Sequence, residues 1–224
     1  TNGRWVDEAV VLAPAAMKFA LGENPKTVYN ERKETPVTRM ATAAIIRENL
    51  SKALEYRDKQ EKAALDPDLD GPDLDVKLEA LGAVVTGTLP AHFHAHRADD
   101  IATGVGVITG PCLGDRCKPE LAGHTLENPV LLAKAGVKVA ICTDHPETPV
   151  QYLPLCAAMA VRAGMAEEEA LACITRNAAE LGGVGDRVGT LTPGKDADVG
   201  VTSAHPLDWK SRVEHVFIQG VPVK

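Results

Sequence analysis

Three histidines at alternate positions are the first pattern in this sequence whose residue types could do chemistry. His92, His94 and His96 lie in the segment 90–97. Successive side chains of a β-strand point to opposite faces, so the three imidazoles would share one face of an extended segment. Imidazole is the commonest metal ligand in proteins. The spacing therefore predicts a metal site or a proton-transfer site, and the alternative is a solvated strand face that happens to carry histidine.

Asp144 and His145 form a second group of ionisable residues, just after the apolar segment 137–142. Apolar strands alternate here with helical patterns, which favours a parallel sheet covered by helices. In such folds, ligands bind at the carboxyl ends of the strands. Both His94 and Asp144 fall at such ends, and we expect the two side chains to converge on one site.

Apolar periodicity, turn residues and helix caps indicate the elements that would position these residues. The predicted strands are 10–13, 17–21, 89–94, 104–110 and 137–142, and the predicted helices are 36–62, 74–81, 129–135, 150–162 and 166–181. A helix that begins at Arg97 must stop by Thr103, about seven residues later, whereas a parallel crossover needs a dozen or more. We therefore expect an unusual topology, or a missing segment between Thr103 and Gly104. A further segment is expected before Thr1, because the chain does not start with methionine.

Composition places the chain among ordinary globular proteins and removes several classes of function. It has 224 residues, 45% of them apolar, and a net charge of -7. No basic stripe is present to neutralise nucleic-acid phosphates, and no apolar run approaches the ~20 residues that span a bilayer. The five cysteines are an odd number, which favours cytoplasmic thiols over a disulfide framework. We expect a cytoplasmic protein with a small-molecule substrate and with neither nucleic acid nor membrane as partner, and we leave a homo-oligomer open.

The pattern of the sequence changes after Gly185. Short strands separated by turn residues replace the alternation of strands and helices. These predicted strands are 187–191, 198–202 and 215–218. The predicted organisation is therefore a helix-covered parallel domain over residues 1–186 and a small β-subdomain over residues 187–224.

The C-terminal motifs resemble those of a known family. The segments 189–198 (GTLTPGKDAD) and 216–220 (VFIQG) are similar to the last strands of the amidohydrolase superfamily, and the segment 174–179 is similar to its last barrel helix. Within that superfamily, the imidazolonepropionase-like amidohydrolases are the nearest subfamily. The resemblance implies an α/β fold, in which a metal-bearing (β/α)8 TIM barrel stands beside a small β-sandwich.

The same resemblance implies roles for individual residues. His94 is similar to the histidine of the fifth barrel strand and Asp144 to the aspartate that ends the eighth strand, which makes both of them metal ligands. Lys18 is similar to a fourth-strand lysine that, when carboxylated, bridges two metal ions. The residues that would position the substrate are His96, Arg97 and His145. The implied cofactor is one or two divalent metal ions, with Zn²⁺ as the expected metal.

The reaction implied by the resemblance is hydrolysis of a C–N bond in an amide, a cyclic amide or an imidazolone-like small molecule. Asp144 would act as the general base in this reaction. Two alternatives stay open. One is a metal-dependent deaminase of the same superfamily, and the other is a catalytically inactive remnant that acts as a binding protein.

The pattern of the superfamily is incomplete in this sequence. No His-x-His precedes Lys18, and no sixth-strand histidine stands near Thr103. A barrel of this kind needs ~250 residues, and only 186 residues precede the predicted β-subdomain. We therefore expect an incomplete barrel, from which parts of a longer enzyme are omitted.

Overall fold

The structure divides the chain into two compact units. A computed structural model describes residues 10–95, 106–114 and 121–223. Among these, residues 13–95 form the first unit, and residues 10–12, 106–114 and 121–223 form the second. The sequence predicts a different boundary, at residue 186, between a barrel and a β-subdomain. That boundary stays a prediction.

The first unit is a parallel strand pair joined by helices. Its elements are β1 (Met17–Ala20), α1 (Glu23–Glu31), α2 (Arg39–Leu65), α3 (Val76–Val85) and β2 (Ala91–His94). β1 pairs with β2 in parallel, with Met17 opposite Ala91. The strands predicted within 17–21 and 89–94 are confirmed, and so is the strand–helix–strand order.

The two longer helices of this unit begin at residues whose side chains cap them. Thr38 accepts a hydrogen bond from the Ala41 N–H at 3.1 Å and starts α2, while the Asp75 carboxylate caps α3. The predicted start of α2 at Thr35 is three residues early, because two threonines precede the apolar stripe and the second of them is the cap. Although α2 has 27 residues, no helix in the described part of the chain is long and apolar enough to cross a membrane.

The second unit combines a parallel strand pair with an antiparallel sheet. Its elements are β3 (Gly106–Thr109), α4 (Asn128–Lys134), β4 (Lys138–Ile141), a 3-10 turn (Val150–Tyr152), α5 (Leu153–Arg162), α6 (Glu167–Ile174), α7 (Arg176–Leu181), β5 (Val199–Thr202), β6 (Val213–Ile218) and β7 (Val221–Pro222). β3 pairs with β4 in parallel, and β5, β6 and β7 form an antiparallel sheet in that order. These strands confirm the predictions within 104–110, 137–142, 198–202 and 215–218. A β-sandwich partner for the antiparallel sheet stays a prediction.

Three predicted segments have a different structure, and the helix α1 (Glu23–Glu31) lies outside the predicted elements. Residues 10–13 are irregular, with bends rather than a strand, since an apolar run alone does not supply a pairing partner. Residues 187–191 are turns and bends, because the Arg187 N–H donates back to the Val184 carbonyl at 3.0 Å. The predicted helix 166–181 is two helices, because the Thr175 backbone leaves helical geometry, with φ -127° and ψ -94°.

The core of the second unit lies between β4 and the helices that follow it. Val139 and Ile141 are 1% and 3% exposed, and they pack in one cluster with Cys156 of α5 and Cys173 of α6. Burial raises the pKa of the Cys173 thiol to about 11. The thiol therefore stays protonated near neutral pH and packs as a small apolar group.

Two glycines allow β3 and the residue after it to approach their neighbours closely. A Cβ on Gly106 would overlap the Leu181 side chain, and a Cβ on Gly110 would overlap the Cys142 carbonyl oxygen. Neither position accepts a side chain unless the neighbour moves. These glycines therefore serve packing. The neighbour of Gly110 is Cys142, two residues before Asp144.

The motif 189–198 lies between the end of α7 and the antiparallel sheet. The Lys195 ammonium donates to the Gly185 carbonyl at 2.5 Å, just after α7 ends. The Asp198 carboxylate accepts from the Gln219 N–H at 2.8 Å, in the turn between β6 and β7. The polar side chains of this motif therefore join the helix to the sheet.

Candidate metal and catalytic site

Lys18 and His94 lie on one face of the β1–β2 pair. Lys18 is opposite His92 in the parallel register, and His94 is two residues further along β2. Paired positions on neighbouring strands share a face, and so do positions two apart along one strand. Lys18, His92 and His94 therefore point to the same side. The rings of Phe19 and Phe93 belong to the other face, where they stack with centroids 4.9 Å apart.

This face carries two of the predicted metal ligands. The strand spacing and a two-residue offset place the Lys18 and His94 Cα atoms about 8 Å apart, within reach of two long side chains converging on one ion. An imidazole nitrogen and a carboxylated lysine oxygen are donors that suit Zn²⁺. Within residues 10–95, 106–114 and 121–223, no three His, Cys, Asp or Glu side chains are grouped so that they could hold a metal. The residues present thus fit part of a zinc site, with further ligands still required.

Asp144 begins a tight turn after β4. Its φ is 50°, a left-handed conformation that residues other than glycine seldom adopt. The Glu147 N–H donates to the Asp144 carbonyl at 2.9 Å, and the Thr148 N–H donates to the Thr143 carbonyl at 3.2 Å. Thr143 and Thr148 are buried, whereas Asp144 is exposed. The turn therefore presents the Asp144 carboxylate to solvent from a backbone that is held at both ends.

The other predicted site residues are distributed over different parts of the chain. His145 is exposed in the same turn as Asp144. His96 and Arg97 lie outside the described residues. His94 belongs to the first unit and Asp144 to the second. The convergence of His94 and Asp144 on one metal ion therefore stays a prediction.

A hydrogen bond between α7 and β4 is a feature of this region that sequence patterns do not predict. The Asn177 side-chain amide donates to the Val139 carbonyl at 2.9 Å, across 38 positions of sequence. The one signal for Asn177 is its place in the segment 174–179, which resembles the last barrel helix. That resemblance indicates a helix and says nothing about the partner of the amide.

A shallow cleft opens beside Lys18 in the first unit. Its volume is about 290 Å³, and its lining includes the apolar residues Phe19, Ile45 and Ile46 together with Tyr29. Ligand sites commonly combine apolar walls with a few polar groups. The cleft is an open depression of the first unit, and among its described lining residues Lys18 is the one that belongs to the predicted site residues.

Two known proteins resemble this chain over most of its length. An amidohydrolase of known structure from Thermotoga maritima MSB8 has 40% sequence identity and a TM-score of 0.91, over 98% of this chain and 65% of its own. The amidohydrolase tasK of Hapsidospora irregularis is 26% identical over an alignment that covers 91% of this chain and 25% of that protein. The chain thus spans less than two thirds of either relative. The Thermotoga structure gives it an α/β fold of TIM-barrel type.

A third structure is much less similar. An adenosine deaminase from Xanthomonas campestris, solved with bound zinc, has 18% identity and a TM-score of 0.43, over 75% of this chain and 55% of its own. That likeness is too low to inform the function of this chain. The model of the amidohydrolase family, in contrast, matches residues 38–223. Since this match covers most of the sequence, the chain belongs to the amidohydrolase family.

Proposed function

We propose that this chain carries part of the active site of a metal-dependent enzyme that hydrolyses a C–N bond in an amide, a cyclic amide or an imidazolone-like small molecule. The observation that carries the proposal is the conformation of Asp144. In a member of the amidohydrolase family, this exposed carboxylate has a left-handed backbone and follows the carboxyl end of β4. Backbone strain clusters at functional sites, and TIM-barrel active sites lie at this end of the strands.

The proposed mechanism gives Asp144 two tasks. It would help to hold the metal ion together with His94, and Lys18 would add a bridging ligand once it is carboxylated. Zn²⁺ bound by these residues would supply a water of lowered pKa and polarise the substrate carbonyl. Asp144 would take a proton from the attacking water and pass it to the leaving nitrogen, first as general base and then as general acid.

Substrate positioning is assigned in this proposal to three further residues. His145 stands beside Asp144 in the exposed turn, close to where the scissile bond would be held. His96 and Arg97 keep their predicted roles, and the Arg97 guanidinium suits a substrate carboxylate. A cytoplasmic location and a small-molecule substrate belong to the same proposal.

The decisive test replaces Asp144 in the full enzyme that contains this sequence. Asp144→Asn keeps the shape of the side chain and tolerates a left-handed backbone, but it cannot accept the proton. We expect kcat/KM for an amide or cyclic amide substrate to fall by ~10²–10⁴-fold, with an unchanged thermal unfolding midpoint. Glu147→Gln is the matched control, because Glu147 is an exposed carboxylate of the same turn. Full activity of Asp144→Asn would remove this residue from the mechanism.

Two further measurements separate the alternatives. Release of ammonia from aminated purines or pyrimidines, with no opening of amides, would identify a deaminase. Metal analysis of the purified enzyme is expected to find one or two divalent ions per chain. A protein without stoichiometric metal that binds small molecules but turns none over would be an inactive remnant.

A further inference from the structure

The side of β4 that faces away from β3 is bonded at one position to a side chain. The Cys142 N–H donates to the Thr109 carbonyl of the β3 side at 2.9 Å. Backbone groups alternate in direction along a strand, so those of Val139 point to the opposite edge. There the Asn177 amide donates to the Val139 carbonyl at 2.9 Å. Asn177 thus holds β4 from the side opposite to β3.

The helix that carries Asn177 is fixed in its own right. The Thr175 hydroxyl donates to the Leu171 carbonyl at 2.7 Å, where the chain turns from α6 into α7. Ala179 of α7 is 7% exposed. Glu180 of the same helix pairs with Lys138, the first residue of β4, at 2.5 Å. α7 therefore contacts the start of β4 through two polar links, of which one reaches the backbone.

β4 can transmit a change at its start to the turn at its end. Val139 and Ile141 are buried, and the next residue is bonded to the β3 side. Thr143 is also buried, and its carbonyl is bonded to the Thr148 N–H at 3.2 Å. A displacement of Val139 along the strand would therefore move Asp144, about 16 Å away at the rise of an extended chain.

We propose that Asn177 is a positioning residue for Asp144. Its amide fixes the start of the strand through the Val139 carbonyl, and the packed strand carries that constraint to the turn. The inference rests on the proposed function of Asp144 for its effect on catalysis. Its structural part, a less ordered turn when the amide is lost, does not depend on that function.

The test compares variants of the full enzyme that differ in the donor at position 177. Asn177→Asp keeps the shape but has no N–H, and Asn177→Ser keeps a shorter donor. Glu180→Gln is the matched control, because it removes the charge of the other link between α7 and β4 and leaves the Val139 carbonyl bonded. The readouts are kcat, KM and amide hydrogen exchange at Glu147 and Thr148.

We expect Asn177→Asp to lower kcat by about tenfold or more with little change in KM, since small misplacements of a catalytic group cost up to ~10²-fold. Exchange at the Glu147 and Thr148 amides should become several-fold faster. Asn177→Ser should lie between the wild type and Asn177→Asp, and Glu180→Gln should match the wild type. If Asn177→Asp does not fold, Asn177→Ser carries the same comparison.

The possible outcomes distinguish the two proposals. Unchanged exchange in the Asn177 variants overturns the positioning role, whatever happens to kcat. Faster exchange with unchanged kcat, in an enzyme that also tolerates Asp144→Asn, supports the positioning of the turn and rejects the proposed function of Asp144. Faster exchange together with lower kcat supports both.

Discussion

The two units follow the same plan but are packed differently. Each contains a parallel strand pair with helices between or after the strands. In the described part of the first unit, the buried apolar side chains are Ala53, Tyr56 and Leu89. The second unit holds an eleven-residue buried cluster, centred on β4 and the helices α5 and α6.

The difference concerns how firmly each set of candidate site residues is held. Asp144 follows a strand whose last three residues are buried, and it lies in a hydrogen-bonded turn. Lys18 and His94 stand on a two-stranded ribbon whose opposite face leaves Phe93 50% exposed. Few buried contacts lower the free energy of local opening. In the proposed function, the second unit would therefore supply a preorganised carboxylate, and the first unit would supply ligands whose order depends more on what binds them.

The largest expected effect on stability concerns the second unit, which holds the eleven-residue buried cluster. Gly110→Ala should destabilise the second unit by about 3 kcal/mol, because the new Cβ would overlap the Cys142 carbonyl oxygen in a core that cannot expand cheaply. Denaturant unfolding followed by hydrogen exchange in 106–114 and 121–223 measures this. Gly200→Ala is the control, since a Cβ there meets nothing within 4 Å. Equal stabilities for the two variants would contradict the close approach of the strand ends.

A medium effect on stability is expected in the first unit, where few apolar side chains are buried. The Tyr56 hydroxyl donates to the Glu79 carboxylate at 3.0 Å and links α2 to α3. Tyr56→Phe should cost about 1–2 kcal/mol, because Tyr56 is 6% exposed and the bond is to a charged group. Hydrogen exchange within residues 13–95 should rise, while exposed Tyr29→Phe should change little. An effect of the same size in both variants would show that the link does not stabilise the helix pair.

The smallest effect depends on pH and tests the link between α7 and β4. The hydrogen bond and charge of Lys138 hold the pKa of Glu180 below its usual value of 4.5. A lowered folded-state pKa means that the pair stabilises the protein above about pH 4.5, and that this stabilisation is lost as the pH falls through the folded value. The stability deficit of Glu180→Gln should therefore be small at pH 7 and should shrink as the pH falls below 4.5. Exposed Glu214→Gln should show no deficit at neutral or acid pH, and a deficit of Glu180→Gln that persists in acid would exclude the ion pair as its cause.

Short apolar runs bounded by turn residues make the strands of this sequence predictable, and a helix without a buried face is not predictable from it. β4 is a short apolar run bounded by a glycine and a turn, and its position follows from that. Helix α1 has no buried residue, so it has no apolar stripe that periodicity could detect. Residues 10–13 show the reverse case, because Val10 and Val11 are apolar yet almost half exposed and form no strand.

Some features of the candidate site are predictable from the sequence, and others are not. The shared face of His92 and His94 follows from the two-residue period of a strand, whereas the place of Lys18 on that face depends on the register that the structure supplies. The place of Asp144 after a strand is also readable from the sequence. Its left-handed backbone is a detail of a local turn that residue types do not specify, and the bond from Asn177 to Val139 depends on a contact between segments 38 positions apart. Whether His94 and Asp144 meet at one metal ion stays a prediction.

The links made by Lys195 and Asp198 have a consequence for how relatives of this protein are compared. The segment that makes the family recognisable directs these side chains to the end of a helix and to a hairpin turn. Contacts of this kind serve folding, so two enzymes can share the segment while processing different molecules. Likeness here reports common architecture, and in the proposed function the loops around Asp144 and Lys18 would set substrate preference.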